Sequence, residues 1–328
     1  MITARNRVKE DMEMTRRRTR WLVVLTVLLM TVLCMAFASA EEVDSGTFGV
    51  DGDNLTWTLD SEGTLIISGT GRMPEFEWNG MPWYNDLDLI TSVQIGNGVT
   101  NIGYNAFNKC AQLTSVTLPD GLEKISALAF YYCSSLPEID LPDSLTEVGE
   151  SAFFACESLQ NITIPKNVTN IGRNAFAHCY SLDDITVNEE NSQYASEDGV
   201  LFDKNKQGLI ACPAGKTGQY VIPDSVNTIT DGFFMCKGLT GITISKNVNN
   251  ISGFDFLGCS SLATFTVDAD NEHYAAFNGV LYDKDLQSLI VCPQTLSGRY
   301  VIPDGVHLSV PVRSEVAKAS RLWRFRTA

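Results

Sequence analysis

Six cysteines recur at a single interval and mark a repeat. The interval is 23 residues, first through four consecutive cysteines and then through two more: Cys110, Cys133, Cys156, Cys179, Cys236 and Cys259. The residues before each cysteine follow one frame, as in LTSVTLPDGLEKISALAFYYC and LQNITIPKNVTNIGRNAFAHC. Because one such unit cannot bury its apolar side alone, the copies have to stack, which predicts a repeat solenoid.

Each copy of the frame predicts a strand followed by a return segment. Alternating apolar residues, such as Val116 and Leu118, are typical of a short strand with one buried face. A Pro-Asp or Lys-Asn turn follows, and then two more apolar residues, such as Leu122 and Ile125. An aromatic residue and the cysteine complete the return, which we expect to be short and helical or irregular. This period and pattern fall in the range of leucine-rich repeats.

One copy places His178 directly beside Cys179, a pair that suggests thiol catalysis or a metal site. Stacking puts the repeat cysteines in one column and His178 in a second column, whose other members vary: Lys109, Tyr132, Ala155, Met235 and Gly258. Because the neighbour changes while the cysteine recurs, we interpret the cysteines as a structural core ladder of small hydrophobic side chains. Disulfides between stacked copies and a thiolate metal site are the alternatives. Parallel side chains one strand apart suit a disulfide poorly.

Two matching inserts interrupt the period, at 188–222 and 268–302. The segments 187–226 and 267–306 align without gaps at an offset of 80 residues. Within each segment, GVLF or GVLY, a polar turn, and LIACP or LIVCP predict a β-hairpin. We therefore expect each insert to widen a repeat without leaving the solenoid.

A module at 41–89 precedes the repeats. Its runs LTWTL and TLIIS flank an Asp-Ser-Glu-Gly turn and predict a β-hairpin. An aromatic segment with Trp78, Trp83 and Tyr84 follows. Because a solenoid needs a cap over its terminal core, we expect this module to be that cap. Exposed Trp and Tyr side chains also anchor partners, which makes these three residues candidates for partner binding.

The first forty residues, 1–40, predict export. A cluster of four arginines at 16–20 directly precedes the apolar run WLVVLTVLLMTVL, and AFASA ends the segment, which is the pattern of a bacterial-type signal peptide. An uncleaved anchor is the alternative, since the apolar run through Ala40 spans 20 residues. We therefore expect a secreted or cell-surface protein, with membrane contact only through this segment if it is uncleaved.

Charge is distributed unevenly along the 328 residues. The net charge is −15, and residues 41–328 hold 17 Lys and Arg against 36 Asp and Glu. Such a surface repels phosphate backbones, so nucleic acid is not an expected partner. The end of the chain, 307–328, departs from the repeat and holds 5 Lys and Arg against 1 Glu. It predicts either a truncated or frame-shifted end or a basic tail that touches an anionic surface polymer.

No catalytic or cofactor site emerges from the residues. The chain has 3 histidines, and no nucleophile is paired with a base in a known motif. Asp268, Asp270 and Glu272 resemble part of a calcium loop, but the aligned positions of the first insert hold Asn, Glu and Ser. Solvated turn carboxylates are the simpler interpretation. We predict a protein that is not an enzyme and holds no cofactor or metal.

A partner would meet the outward positions of the strands. The outward column that we assign to partner binding is small and polar: Thr117, Asp140, Thr163, Thr186, Thr243 and Thr266. Interface hot spots usually contain Trp, Tyr or Arg, and a threonine ladder often only stabilises a sheet. The aromatic segment and the inserts are therefore equally good candidates for the contact surface.

The repeat SVTLPDGLEKISALAFYYCSSL, with its copies over 90–306, resembles the BspA-type leucine-rich repeat family of bacterial secreted and cell-surface proteins. GDNLTWTLDSEGTLIISGTGRMP and the inserts also look like segments that accompany such repeats. The resemblance implies a non-catalytic, surface-displayed solenoid that binds extracellular protein or glycan ligands, since family members are associated with adhesion to host matrix proteins and to other cells. A structural spacer or surface coat without a specific ligand is the alternative.

Overall fold

The structure, a computed structural model, describes residues 40–296, 300–303 and 305–308, so residues 1–39 of the predicted signal segment and most of the predicted tail lie outside the described residues. The described residues from Val43 onward belong to one compact unit. This unit contains a β-solenoid of about eight turns with a period of about 23 residues, and its described part has almost no helix. The predicted leucine-rich repeat fold, with hairpin inserts and an N-terminal β cap, is confirmed.

The N-terminal cap has three neighbouring strands, of which the last two form a β-hairpin, and it continues into the solenoid. Its strands are β1 (Glu42–Phe48), β2 (Leu55–Asp60) and β3 (Thr64–Arg72). β2 and β3 pair in antiparallel fashion, with Trp57 opposite Ile67. β3 then pairs in parallel with the first two strands of the repeats. The hairpin therefore covers the edge that the first coil would otherwise expose.

Each regular coil contributes up to two short strands, and matching strands of successive coils pair in parallel. The first strands are β4 (Ser92–Ile95), β6 (Ser115–Thr117), β9 (Asn161–Ile164) and β11 (Asp184–Val187). The second strands are β5 (Gly98–Ile102), β7 (Lys124–Ile125), β8 (Glu147–Val148) and β10 (Asn170–Ile171). Pairing advances by one period from coil to coil, with Ile162 opposite Ile185 and Ile125 opposite Val148. The second strands were not predicted as strands, because two adjacent residues are too few to show alternation.

Each insert is a three-stranded antiparallel sheet whose last two strands are the predicted hairpin. The first insert contains β12 (Tyr194–Glu197), β13 (Val200–Asp203) and β14 (Gly208–Ala211). The second contains β19 (Tyr274–Phe277), β20 (Val280–Asp283) and β21 (Ser288–Val291). After the first insert, three parallel strands form a sheet at the coil position that the first strands occupy in the regular coils: β15 (Gly218–Val221), β17 (Leu239–Ile244) and β18 (Thr264–Val267). β14 and β21 also pair with the next coil, through β16 (Thr228–Ile229) and β22 (His307–Leu308), so each insert stays within the stack.

The return segments are tight turns built on left-handed residues. In five coils φ is positive both five residues and one residue before the cysteine, as at Asn174 (55°) and His178 (62°). The sixth coil begins its return with a 3-10 turn, Gly253–Phe256, and has Gly258 at the second of these positions. A further 3-10 turn, Tyr84–Asp86, lies in the cap. These conformations reverse the chain within a few residues, so that the phenylalanine and the cysteine of each coil both reach the core.

The core is a column of stacked rings that ends at the first insert. Its rings lie 5.3 to 5.8 Å apart between neighbouring centroids: Trp83, Phe107, Phe130, Phe153 and Phe176. A second column pairs Phe233 with Phe256 at 5.4 Å. Phe176 and Phe233 accordingly belong to two different clusters of buried residues. The first insert therefore divides the apolar core of the solenoid.

Candidate functional site

On the predicted strand face, four threonine hydroxyls are hydrogen-bonded to each other in two pairs. Thr163 and Thr186 lie opposite each other in β9 and β11, and their hydroxyl oxygens are 2.9 Å apart. Thr243 and Thr266 form the same pair in β17 and β18, at 2.6 Å. Such cross-strand pairs stabilise a sheet, and each pair leaves fewer donors for a ligand.

The strand face is also discontinuous. Pro137 occupies the position at which Thr114 and Gln160 each donate a backbone N–H to the preceding coil, and proline has no N–H to donate. The segment around Asp140 consequently forms no strand, whereas Thr117 lies in β6. The predicted outward column is thus divided among three separate sheets and one irregular coil.

The repeat cysteines lie in the core, where their thiols donate hydrogen bonds along the stack. All six are buried. The Sγ atoms of Cys133, Cys156 and Cys179 lie 3.2, 3.2 and 3.1 Å from the phenylalanine carbonyl oxygen of the preceding coil. Burial raises the pKa of Cys179 to about 12, so this thiol stays protonated and is a poor nucleophile.

His178 and Cys179 lie in different surroundings despite being adjacent in sequence. The His178 ring contacts Phe154, with centroids 4.5 Å apart, and its Nδ1 lies 2.6 Å from the Tyr180 hydroxyl. Burial, followed by the nearby charge of Lys237, lowers the pKa of His178, so the ring is mostly neutral at pH 7. Within the described ranges, no group of His, Cys, Asp and Glu side chains is arranged to hold a metal ion.

The three aromatic residues predicted to bind a partner are separated by the fold. Trp78 is 50% exposed and Tyr84 is 39% exposed, so both remain candidates. Trp83 is 0% exposed, and its indole N–H donates to the Ala106 carbonyl at 2.8 Å. The expectation that Trp83 contacts a partner is therefore wrong: its ring closes the end of the core column, stacked on Phe107.

A row of partly exposed aromatic side chains crosses the return turns, and the sequence analysis did not identify it. The aromatic row consists of Tyr131, Tyr132, Phe154, His178, Tyr180 and Phe234. Ring centroids are 4.9 Å apart for Tyr131 and Phe154, and 4.5 Å apart for Phe154 and His178. His178 lies 6.2 Å from Phe234. The aromatic row therefore continues across the point at which the core column stops.

Lysine side chains cover aromatic rings beside this surface. Lys237 Nζ lies 3.6 Å from the centre of the Tyr180 ring, and Lys109 Nζ lies 4.6 Å from that of Trp78. Such cation–π contacts contribute about 0.5–1 kcal/mol at exposed sites. They hold two positive charges next to apolar surface in a protein that is acidic overall.

The chain is similar to several bacterial structures. A leucine-rich repeat protein from Eubacterium ventriosum is 27% identical with a TM-score of 0.61, over 87% of this chain and 85% of that one. A leucine rich cell surface protein from Faecalibacterium prausnitzii is 22% identical with a TM-score of 0.46, over 87% and 95%. The pneumococcal vaccine antigen PcpA is 18% identical with a TM-score of 0.44, over 88% and 98%. A search of curated proteins found no match.

The described part of the chain contains no helix of the length and apolarity needed to cross a bilayer. The family model described as "BspA type Leucine rich repeat region" matches 6 copies, over residues 83–198 and 214–280. These residues make up more than half of the chain and include all six repeat cysteines. The chain therefore belongs to the BspA-type leucine-rich repeat family.

Proposed function

We propose that this protein is a non-catalytic recognition protein, located outside the cytoplasm, that binds an extracellular protein with its aromatic row. The observation that carries the proposal is the row itself, six partly exposed rings in mutual contact on one side of several coils. Aromatic residues are enriched at protein interfaces, and Tyr is among the residue types enriched at hot spots. Family membership and the predicted export signal support the location.

Ring geometry favours a protein ligand over a glycan on this surface. Tyr131 and Phe154 are stacked with 14° between their planes, and Phe154 also contacts His178. The two facing sides of this stacked pair are covered, so Tyr131 and Phe154 offer fewer open ring faces to a ligand. A sugar packs best on an open ring face, whereas apolar side chains of a protein pack well against ring edges.

The test compares three surfaces on one set of ligands. The purified protein is screened against extracellular matrix proteins, mucins and glycans, beside three variants. The row variant carries Tyr131→Ala, Phe154→Ala and Phe234→Ala, since Ala177 occupies the same position in another coil. The strand variant carries Thr117→Ala, Thr163→Ala and Thr243→Ala, and the cap variant carries Trp78→Ala and Tyr84→Ala. The proposal expects a saturable protein ligand that is lost only in the row variant.

A spacer or surface coat is the second candidate function. The hydroxyl pairs Thr163–Thr186 and Thr243–Thr266 favour it, because they stabilise the stack without presenting a recognition surface. A folded protein that binds none of the ligands would support the spacer. Binding that survives the row variant and is lost in the strand or cap variant would contradict the assignment of the aromatic row.

A further inference from the structure

A cleft of about 260 Å³ opens where the first insert divides the core. Its walls come from the return turn of residues 171–177, from β14 and its end, and from the return turn of residues 230–234. Its volume is just below the range of small-molecule sites, which is roughly 300–1,000 Å³. The junction cleft is thus large enough for one ring-sized group.

The cleft exists because the hydrogen bonds between coils are interrupted there. In the preceding coil, the amides of Phe153 and Ala155 donate to the Ala175 and Ala177 carbonyls, both at 2.9 Å. The equivalent amides of the next coil are those of Phe176 and His178, and no backbone carbonyl in the described ranges accepts from them. The insert explains the break, since the Cys212 amide occupies the Gly232 carbonyl at 2.6 Å.

One polar group of the cleft lacks a hydrogen-bond partner, and the charged groups are paired with each other. The Oδ1 atom of Asn174 is buried without a hydrogen-bond partner, and this residue lines the cleft. A buried acceptor without a partner costs free energy that a ligand donor would recover. Arg173 Nη2 and Nε lie 2.6 and 2.7 Å from Asp231 Oδ2, so the charged residues of the cleft are already paired with each other.

The charges select a neutral ligand. Arg173 and Asp231 cancel, and Asp255 Oδ1 accepts the Asp231 amide at 2.9 Å, which places a second carboxyl group behind the pair. An anionic ligand would meet these carboxyl groups, and a cationic ligand would meet the guanidinium of Arg173, which is 69% exposed. Neither charge sign is therefore favoured in the cleft.

The remaining wall is apolar and partly aromatic. It includes Tyr194, Leu201, Ile210 and Phe234. A fitting ligand combines an apolar face with a hydroxyl that donates to Asn174 Oδ1 and an oxygen that accepts from the amide of Phe176, a residue that lines the cleft. A pyranose ring has all three properties, because its axial C–H groups form an apolar face and its hydroxyls both donate and accept.

We propose that the junction cleft binds a single neutral sugar ring, with Asn174 as the hydrogen-bond acceptor that selects a hydroxyl. This site is separate from the protein-binding surface proposed above, although Phe234 belongs to both. The aromatic row could fail as a protein-binding surface while the cleft still binds a sugar, and the reverse also holds.

The test measures saturation transfer in NMR from the full chain to methyl glycosides of glucose, galactose, mannose and N-acetylglucosamine, with glucuronic acid as the charged comparison. We expect transfer to at least one neutral glycoside and none to glucuronic acid. Asn174→Leu should weaken the binding of the best-bound glycoside at least about fivefold, which is the effect of one lost hydrogen bond. Leucine is compatible with the backbone there, because Leu128 has φ 56° at the equivalent position.

Two further variants separate a cleft effect from a folding effect. Ser151→Leu places the same side chain at the equivalent position of the preceding coil, outside the cleft, and should leave glycoside binding unchanged. Ala211→Leu narrows the cleft from its β14 wall and should also weaken binding. Absence of transfer to every neutral glycoside from the folded chain, equal binding by Asn174→Leu and the wild type, or equal binding of glucuronic acid would each overturn the proposal.

Discussion

The regular coils at 90–182 and the insert-bearing part at 187–306 follow one frame but are stabilised differently. In the regular coils, rings such as Phe130 stack on both neighbours at 5.3 Å, so apolar burial is continuous. In the insert-bearing part, sheets come between coils and the core is divided. The inserts therefore interrupt the continuous core and create a junction at which some polar groups lack hydrogen-bond partners.

Each insert is held to the preceding coil by the buried side-chain amide of one asparagine. Asn191 Nδ2 donates to the Pro165 and Val168 carbonyls at 2.7 and 2.9 Å, and its Oδ1 accepts the amides of Gln193 and Tyr194. The second insert repeats this arrangement with Asn271. Each insert is therefore fastened to the preceding coil by one fully satisfied side chain.

The largest effect is expected in the regular core. Phe130→Ala should lower the free energy of unfolding by about 4 kcal/mol, because it removes a buried ring and leaves a cavity between Phe107 and Phe153. Urea denaturation measures the change. Phe154→Ala, on the partly exposed aromatic row of the next coil, is the control and should cost less than about 1.5 kcal/mol. Similar losses in both variants would contradict the continuous core column.

The second-largest loss of stability is expected at Asn191, which holds the first insert to the preceding coil. Asn191→Ala should cost about 3 kcal/mol, because two carbonyls and two amides lose their partner in a buried site. Asn188→Ala is the matched control, since Asn188 accepts one exposed amide, that of Glu190; it should cost under about 1 kcal/mol. Equal unfolding midpoints in urea for the two variants would show that the insert does not depend on Asn191.

A pair of substitutions at one left-handed position should act in opposite directions. Gly258→Ala should cost about 2 kcal/mol, since φ is 82° and the added Cβ would lie 2.1 Å from the Met235 sulfur. Ala155→Gly, at the same position of a regular coil with φ 59°, should be neutral or stabilise by under about 1 kcal/mol. Thermal denaturation of both proteins checks the signs, and destabilisation by Ala155→Gly would contradict the account of the return turns.

The remaining effect depends on pH and concerns the insert-bearing part. Burial raises the pKa of Asp255 to about 6, although the Ser252 and Asp231 amides donate to its carboxyl group. The folded state thus holds this proton more tightly than the unfolded state, so the contribution of Asp255 to stability falls as pH rises from about 4 to about 6. Asp255→Asn should remove this part of the slope in melting temperature across that range. A slope unchanged by the substitution would contradict the raised pKa.

The fold could be predicted from the sequence because many residues of each copy recur with the same period. Cysteine spacing, apolar alternation and the offset between the inserts all predict the same stack, so no single substitution could hide it. The break in the strand face could also have been predicted from the sequence, because Pro137 lacks the N–H that pairs with the preceding coil.

The candidate site was harder to predict because it depends on side-chain direction. Trp78 and Trp83 are five residues apart in one aromatic segment, yet Trp78 is half exposed and Trp83 closes the core. Tyr131 and Phe154 share a repeat position with Asn108 and Ala177, so that column has no constant chemistry. Left-handed turns decide which of these residues face outward, and non-glycine residues in this conformation leave little mark in the sequence.

The most direct test of the central claim is a binding titration of Phe154→Ala against the protein ligand found with the wild type. Phe154 lies at the centre of the aromatic row, and the aromatic-row account predicts a loss of about 2 kcal/mol, roughly thirtyfold in Kd. Thr163→Ala, on the strand face, should bind as the wild type does. Unchanged affinity for Phe154→Ala together with weakened binding by Thr163→Ala would contradict the account and move recognition to the strand face.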